Sequence, residues 1–125
     1  MLFVVDTSGR PCDYARFVHV CNAPAWRPWF QIHPETVFDH TTQRLAAVSR
    51  GPGNLDLFVI GFDNAVWTTF WTQAGGWNPG GWFQIHPETV FDRGSQETVA
   101  LARVSDHIDL FLIGFDNAVW SAWWG

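Results

Sequence analysis

The feature that most constrains this 125-residue chain is that it repeats itself. Residues 29–71 align without a gap on residues 82–124, and 26 of those 43 positions are identical, so one supersecondary unit recurs about every 53 residues. Two blocks carry most of the identity. Trp29-Phe30-Gln31-Ile32-His33-Pro34-Glu35-Thr36-Val37-Phe38-Asp39 returns whole at residues 82–92, and Gly61-Phe62-Asp63-Asn64-Ala65-Val66-Trp67 returns at residues 114–120. A weaker copy opens the chain: Leu2-Phe3-Val4-Val5 matches Leu57-Phe58-Val59-Ile60, and Ser8-Gly9 falls where Asp63-Asn64 falls. A stretch seen two and a half times must fold into a unit that stacks on its own likeness.

Within one unit no apolar period of a helix appears, and turn chemistry separates short β-prone runs. Residues 44–50 read as a first strand. Gly51-Pro52-Gly53-Asn54 then turns the chain, because glycine reaches positive φ and proline presets its own. Residues 56–62 form a second strand, apolar almost throughout, as in a strand covered on both faces. Asp63-Asn64 makes a tight two-residue hairpin, since asparagine tolerates the left-handed conformation. Residues 66–72 are the third strand, residues 75–81 a Gly-rich loop, and residues 82–86 the fourth, outer strand, ended by Pro87.

Four short strands per unit at this period are expected of β-propeller blades, whose sheets pack face to face. The expected organisation is an all-β chain in one propeller segment: a partial blade over residues 1–43, a full blade over 44–96 and a partial blade over 97–125. Such a segment leaves apolar faces and strand edges open. A homo-oligomer or a piece of a longer propeller is therefore expected.

Ala46-Ala47-Val48-Ser49-Arg50-Gly51-Pro52-Gly53-Asn54-Leu55-Asp56-Leu57-Phe58-Val59-Ile60-Gly61, followed by Val66-Trp67-Thr68 and Trp71, resembles the blade repeat of the PLL-type bacterial propeller lectins. The most specific part is Ala-Val-Ser-Arg, a Pro-containing turn and Leu-Asp-Leu-Phe. The resemblance implies a seven-bladed ring that binds fucose and related sugars between blades. The last copy departs from the pattern, for Ala102-Arg103-Val104-Ser105-Asp106-His107 keeps the arginine and loses the Gly-Pro turn.

Composition narrows the partners. The net charge of −5 and the absence of any Lys/Arg cluster argue against nucleic acid. No apolar run approaches the roughly 18 residues of a membrane span. Residues 1–5 lack the basic start of a secretory signal, which leaves the localisation open. Cys12 and Cys21, nine apart, either bond across a hairpin or stay as buried thiols, and too few Cys or His lie nearby for a metal.

Nine tryptophans in so short a chain either stack on sugar rings or glue blades together. Trp67, Thr69 and Trp71 share one face of their strand, as Trp120, Ala122 and Trp124 do of theirs, while Trp77 and Trp82 border the Gly-rich loop. Arg50 and Arg103 recur at one position, placed either to donate to ring hydroxyls or to pair with Asp56 and Asp109. The expected ligand-binding residues are Trp67, Trp71, Trp77, Trp82, Trp120, Arg50 and Arg103, and a junction site is expected from Trp77, Trp82, Arg103 and Trp120. Asp63-Asn64 and Asp116-Asn117 read as turn formers. The duplicated His33-Pro34-Glu35 and His86-Pro87-Glu88 read as structural, because catalytic constellations are normally assembled once per domain. No catalytic residue, metal site or cofactor is expected. A carbohydrate-binding propeller is thus the leading expectation, and a structural or protein-interaction propeller the alternative.

Overall fold

The computed structural model describes residues 3–5, 11–13 and 25–125. The chain forms two compact units, Met1–Phe30 and Gln31–Gly125. In the first, β1 (Phe3–Val5) pairs antiparallel with β2 (Pro11–Asp13), Val4 opposite Cys12. Ser8-Gly9, Cys21 and the Cys12 side chain lie outside the described residues.

The second unit holds two sheets. In one, β3 (Ala46–Val48), β4 (Asn54–Ile60) and β5 (Val66–Thr72) run in that order, and β5 carries both β6 (Gly76–Trp77) and β7 (Phe83–Ile85) along its outer edge. In the other, β8 (Val99–Leu101), β9 (Ile108–Ile113) and β10 (Val119–Trp124) repeat the order of β3, β4 and β5. All pairings are antiparallel, and the described residues contain no helix, hence none long and apolar enough to cross a membrane. The all-β expectation holds at this level.

Several boundaries differ from the sequence reading. Residues 44–50 shrink to the three-residue β3, and the second strand runs two residues earlier than expected, because its end is taken by the turn. That turn is longer than two residues. Gly61 N–H donates to Ala65 O (2.8 Å), Asn64 N–H donates to Gly61 O (2.9 Å), and Asn64 sits at φ 65°. The Asp63 carboxylate favours this longer loop by accepting from Ala65 N–H (3.1 Å) and from the Trp67 indole N–H (2.9 Å). Gly114, Asp116, Asn117, Ala118 and Trp120 repeat the arrangement, with Asn117 again at φ 65°. Part of the expected Gly-rich loop is also strand, since Trp77 and Gly76 pair with Trp71 and Thr72. Residues 30–32, equivalent to β7, form no strand.

Register assigns the faces, because opposed residues of an antiparallel pair point the same way. Asp56, Phe58 and Ile60 stand beside Phe70, Thr68 and Val66 on one face of the first sheet. Ile108, Leu110 and Leu112 stand beside Trp124, Ala122 and Trp120 in the second. These two faces pack together. Phe58 meets Ile108 and Leu110, while Ile60 and Val66 meet Leu112 and Phe91, and Ile85 touches both clusters. The opposite face of the first sheet, with Leu57 and Val59, is buried as well, which is why β4 is apolar on both sides.

Short polar bridges tie the connecting segments down. Asp39 accepts from the Thr41 hydroxyl (2.6 Å), Thr41 N–H (2.9 Å) and the Thr42 hydroxyl (2.8 Å), which hold its carboxyl at about 2 instead of 3.8. Asp92 is lowered by Ser95 and Gly94, Asp109 by Arg103, and Asp116 by Trp120. For Asp63, desolvation is the largest influence and raises it, but the bonds from Trp67, Ala65 and Gln84 together outweigh it. A carboxyl depressed by folding adds stability above its unfolded value and loses it as pH falls through its folded value. The five lowered carboxyls should therefore make stability decline as pH falls from 3.8 to about 2, while buried Asp56, shifted upward, acts in the opposite direction. Urea titrations followed by tryptophan emission at a series of pH values check this. A midpoint unchanged down to pH 2 would show that these carboxylate bonds do not operate.

Candidate functional site

A cavity of about 380 Å³ opens between the two packed sheets, within the size range of small-molecule sites. The first sheet contributes Asp56, Phe58, Thr68 and Phe70, joined by Phe83 and Ile85 of β7. The second contributes Ile108, Leu110, Ala122, Trp123 and Trp124, and Arg50 and His86 complete the wall. A neighbouring cavity of similar volume shares Ile85, His86, Leu110 and Ala122 and extends to Thr89, Phe91 and Trp120. Apart from Trp123 and Ser121, whose register places their side chains on the other face, the strand residues lining these cavities lie on the facing sides of the two sheets, so strand alternation largely decides which residues a ligand here can reach.

The polar chemistry lies at one end. Arg50 leaves β3 just before the Gly51-Pro52-Gly53 turn, where Gly53 at φ 77° and the bond from Asn54 N–H to Gly51 O (3.2 Å) reverse the chain. Arg50 O accepts from Asp106 N–H (2.8 Å), which ties this turn to its equivalent in the second sheet. There Asp106, at φ 57°, occupies the position of Gly53. The Arg50 guanidinium lies 4.6 Å from the Trp124 ring centroid and 5.9 Å from that of Phe70, within cation–π reach of both. Its Nε is 3.3 Å from Asp56 Oδ2, but neither atom makes a hydrogen bond. Burial raises the Asp56 carboxyl above its ordinary value, against the opposing pull of Arg50. A half-buried cation and a buried carboxylate with unused hydrogen-bonding capacity, beside an aromatic ring that is 52% exposed, can receive a ligand with both hydroxyl and apolar surface.

The expected junction of Trp77, Trp82, Arg103 and Trp120 does not form. Of these only Trp120 reaches the cavities, and its indole N–H is engaged by Asp116 (2.9 Å). Trp67, Trp71, Trp77 and Trp82 lie together on the opposite face of the first sheet: Trp71 opposes Leu55 and Trp77, and Trp67 opposes Val59 and Gln84. There Trp77 meets His33 edge-on (6.5 Å), and Trp82 meets Phe38 likewise (5.1 Å). Arg103 points away from the junction to Asp109 on the outer face of the second sheet, its Nε donating to Oδ2 at 2.8 Å. Arg50 is the other expected residue in the cavity. The alternation placed Trp67 with Trp71 and Trp120 with Trp124 correctly, but it could not tell which face the neighbouring sheet would cover.

The two His-Pro-Glu blocks have diverged in surroundings. His33 Nε2 sits 3.3 Å from the hydroxyl of fully buried Thr69. The residue equivalent to Thr69 in the second sheet is Ala122, which offers no hydroxyl, and His86 stands exposed in the cavity wall, 3.5 Å from Glu88. Sequence reasoning missed Trp124, Phe70, Asp56 and His86 as wall residues. The Thr69-to-Ala122 exchange was the one available signal for His86. Among the described residues no group of three or more His, Cys, Asp or Glu is placed to hold a metal. No protein-family profile matches this chain, and no curated protein matches it.

Proposed function

We propose that the two packed sheets are blades of a β-propeller of the PLL-type lectin kind, assembled as a homo-oligomer or within a longer propeller, and that the chain binds carbohydrate without catalysing a reaction. The observation that carries this reading is Arg50 held over Trp124, with Asp56 beside it, at one end of a largely apolar cavity between repeated sheets. A pyranose presents a C–H face to an indole and hydroxyls around its rim. The open part of Trp124 serves the first, and the guanidinium and Asp56 serve the second. Stacking contributes about 0.5–1.5 kcal/mol beyond area burial. A shallow site of this kind is expected near millimolar affinity, about −4 kcal/mol, with biological strength coming from several sites on one body.

Titrating fucose and other monosaccharides while following tryptophan emission tests the proposal. A saturable change is expected, abolished by Arg50→Ala and by Trp124→Ala, and retained in Trp82→Ala and Arg103→Ala, whose side chains lie on other faces. If folded protein shows no saturable change with any sugar, the tryptophans serve only to join sheets, and a structural or protein-interaction propeller is the better account. The indole bonds of Trp67 and Trp120 to their own turns are what favours that second reading.

A further inference from the structure

We infer that the outer face of the β8–β9–β10 sheet is an interface that takes a sheet from a second copy of this chain. Register places Val99, Leu101, Phe111, Ile113, Val119 and Trp123 on that one face. Five of the six are large apolar side chains between 46% and 73% exposed. Their counterparts 53 residues earlier stand on the face of the first sheet that packs against the second. The contrast is sharpest where the residue type does not change: Val66 is 3% exposed and Val119 73%, Ile60 is 2% exposed and Ile113 53%. Equal side chains at equal positions of a repeated unit differ in burial because one sheet has a neighbour and the other lacks one.

The chain itself shows what covers such a face. In the first sheet the cover is the Ile108, Leu110 and Leu112 side of a sheet built from the same repeat. The open face asks for the same chemistry, since its one ionised strand residue, Asp109, is 7% exposed and already held by Arg103 (2.8 Å) and His107 (3.0 Å). A largely apolar patch whose one carboxylate is already paired selects a similar apolar sheet, and monomeric proteins rarely leave one of this extent open.

This inference rests on the oligomeric half of the function proposed above and not on sugar binding, so the two fail separately. The test is the solution mass of the full chain by light scattering across a dilution series. A discrete oligomer is expected, reduced to the mass of a single chain by Val119→Lys with Ile113→Lys. Both positions are already more than half exposed in the single chain, so its fold should accept the charges. Val37→Lys, on a loop elsewhere, should leave the oligomer intact. A measurement that needs no variant is amide hydrogen exchange, which in β9 and β10 should slow as protein concentration rises. A single-chain mass at every concentration, unlimited aggregation, or an oligomer insensitive to the double substitution together with concentration-independent exchange would each overturn the inference. Loss of sugar response with the mass unchanged would overturn only the lectin reading.

Discussion

Truncating Phe58 to alanine is expected to destabilise the two-sheet unit by about 3–5 kcal/mol, the range found for aromatic-to-alanine changes in well-packed cores. Phe58 is 3% exposed on the central strand β4, and it joins the sheets by touching Ile108 and Leu110 while Ala46, Val48, Ile85 and Ala100 close around it. Removing the ring loses its transfer free energy and also enlarges a void that the surroundings cannot fill. The strands on either side are fixed by their ladders, and the cavity below Phe58 already lacks packing atoms. The loss therefore belongs at the upper end of large-to-small substitutions. Urea denaturation followed by tryptophan emission measures it. Val37→Ala, at a position 71% exposed, should stay within about 0.5 kcal/mol of the parent chain. A Phe58→Ala protein that unfolds at the parent's midpoint would mean that the two sheets do not stack through this side chain.

The second large effect is steric. A methyl group at Gly61 would lie 2.5 Å from both Cδ1 and Nε1 of Trp67 and 3.0 Å from Asp63 Oδ1. The indole cannot retreat freely, because its N–H is bonded to that same Asp63 oxygen, which also accepts from Ala65 N–H. Gly61→Ala must therefore break the turn's bond to Trp67 or displace the turn, and about 1–3 kcal/mol is expected, as for other overpacked sites. Gly114 repeats the geometry, with Trp120 Nε1 at 2.4 Å and Cδ1 at 2.6 Å of the added methyl. Trp120, however, is 44% exposed and can swing toward solvent, so Gly114→Ala should cost less than Gly61→Ala. Combining Gly61→Ala with Trp67→Leu tests the cause. If the clash is with the indole, the double variant is more stable than the sum of the two single losses allows. Strict additivity would place the glycine requirement elsewhere in the turn.

These two predictions also mark how far the residues alone carried. Alternation in residues 66–72 put Trp67 and Trp71 on one face, and the apolar run of β4 announced burial on both sides; both are local consequences of a two-residue pleat. The turn at Asp63-Asn64 was legible as a turn from its residue types. Its length was not, because Asp63 stabilises the longer loop through an indole four residues on, a bond between side chains that turn statistics do not contain. Arg50 was legible as a candidate because it recurs at Arg103. The two arginines then part company: one faces the adjacent sheet and Trp124, the other an outer face with Asp109, and only packing distinguishes them.

What the sequence determined by itself is therefore the repeat, its period, its strand content and the pairs of residues that share a face, since covalent spacing and the pleat set all of these within one unit. What only the tertiary structure decided is which face of each sheet meets the other. The cavity gained Arg50, Asp56, Phe70, Trp120, Trp124 and His86, while Trp67, Trp71, Trp77 and Trp82 went to the opposite side and Arg103 to an outer face. The physical reason is that both faces of such a strand are apolar. Hydrophobic burial is non-directional and does not choose between them; the choice is made by how the next copy of the unit packs, which no single copy encodes.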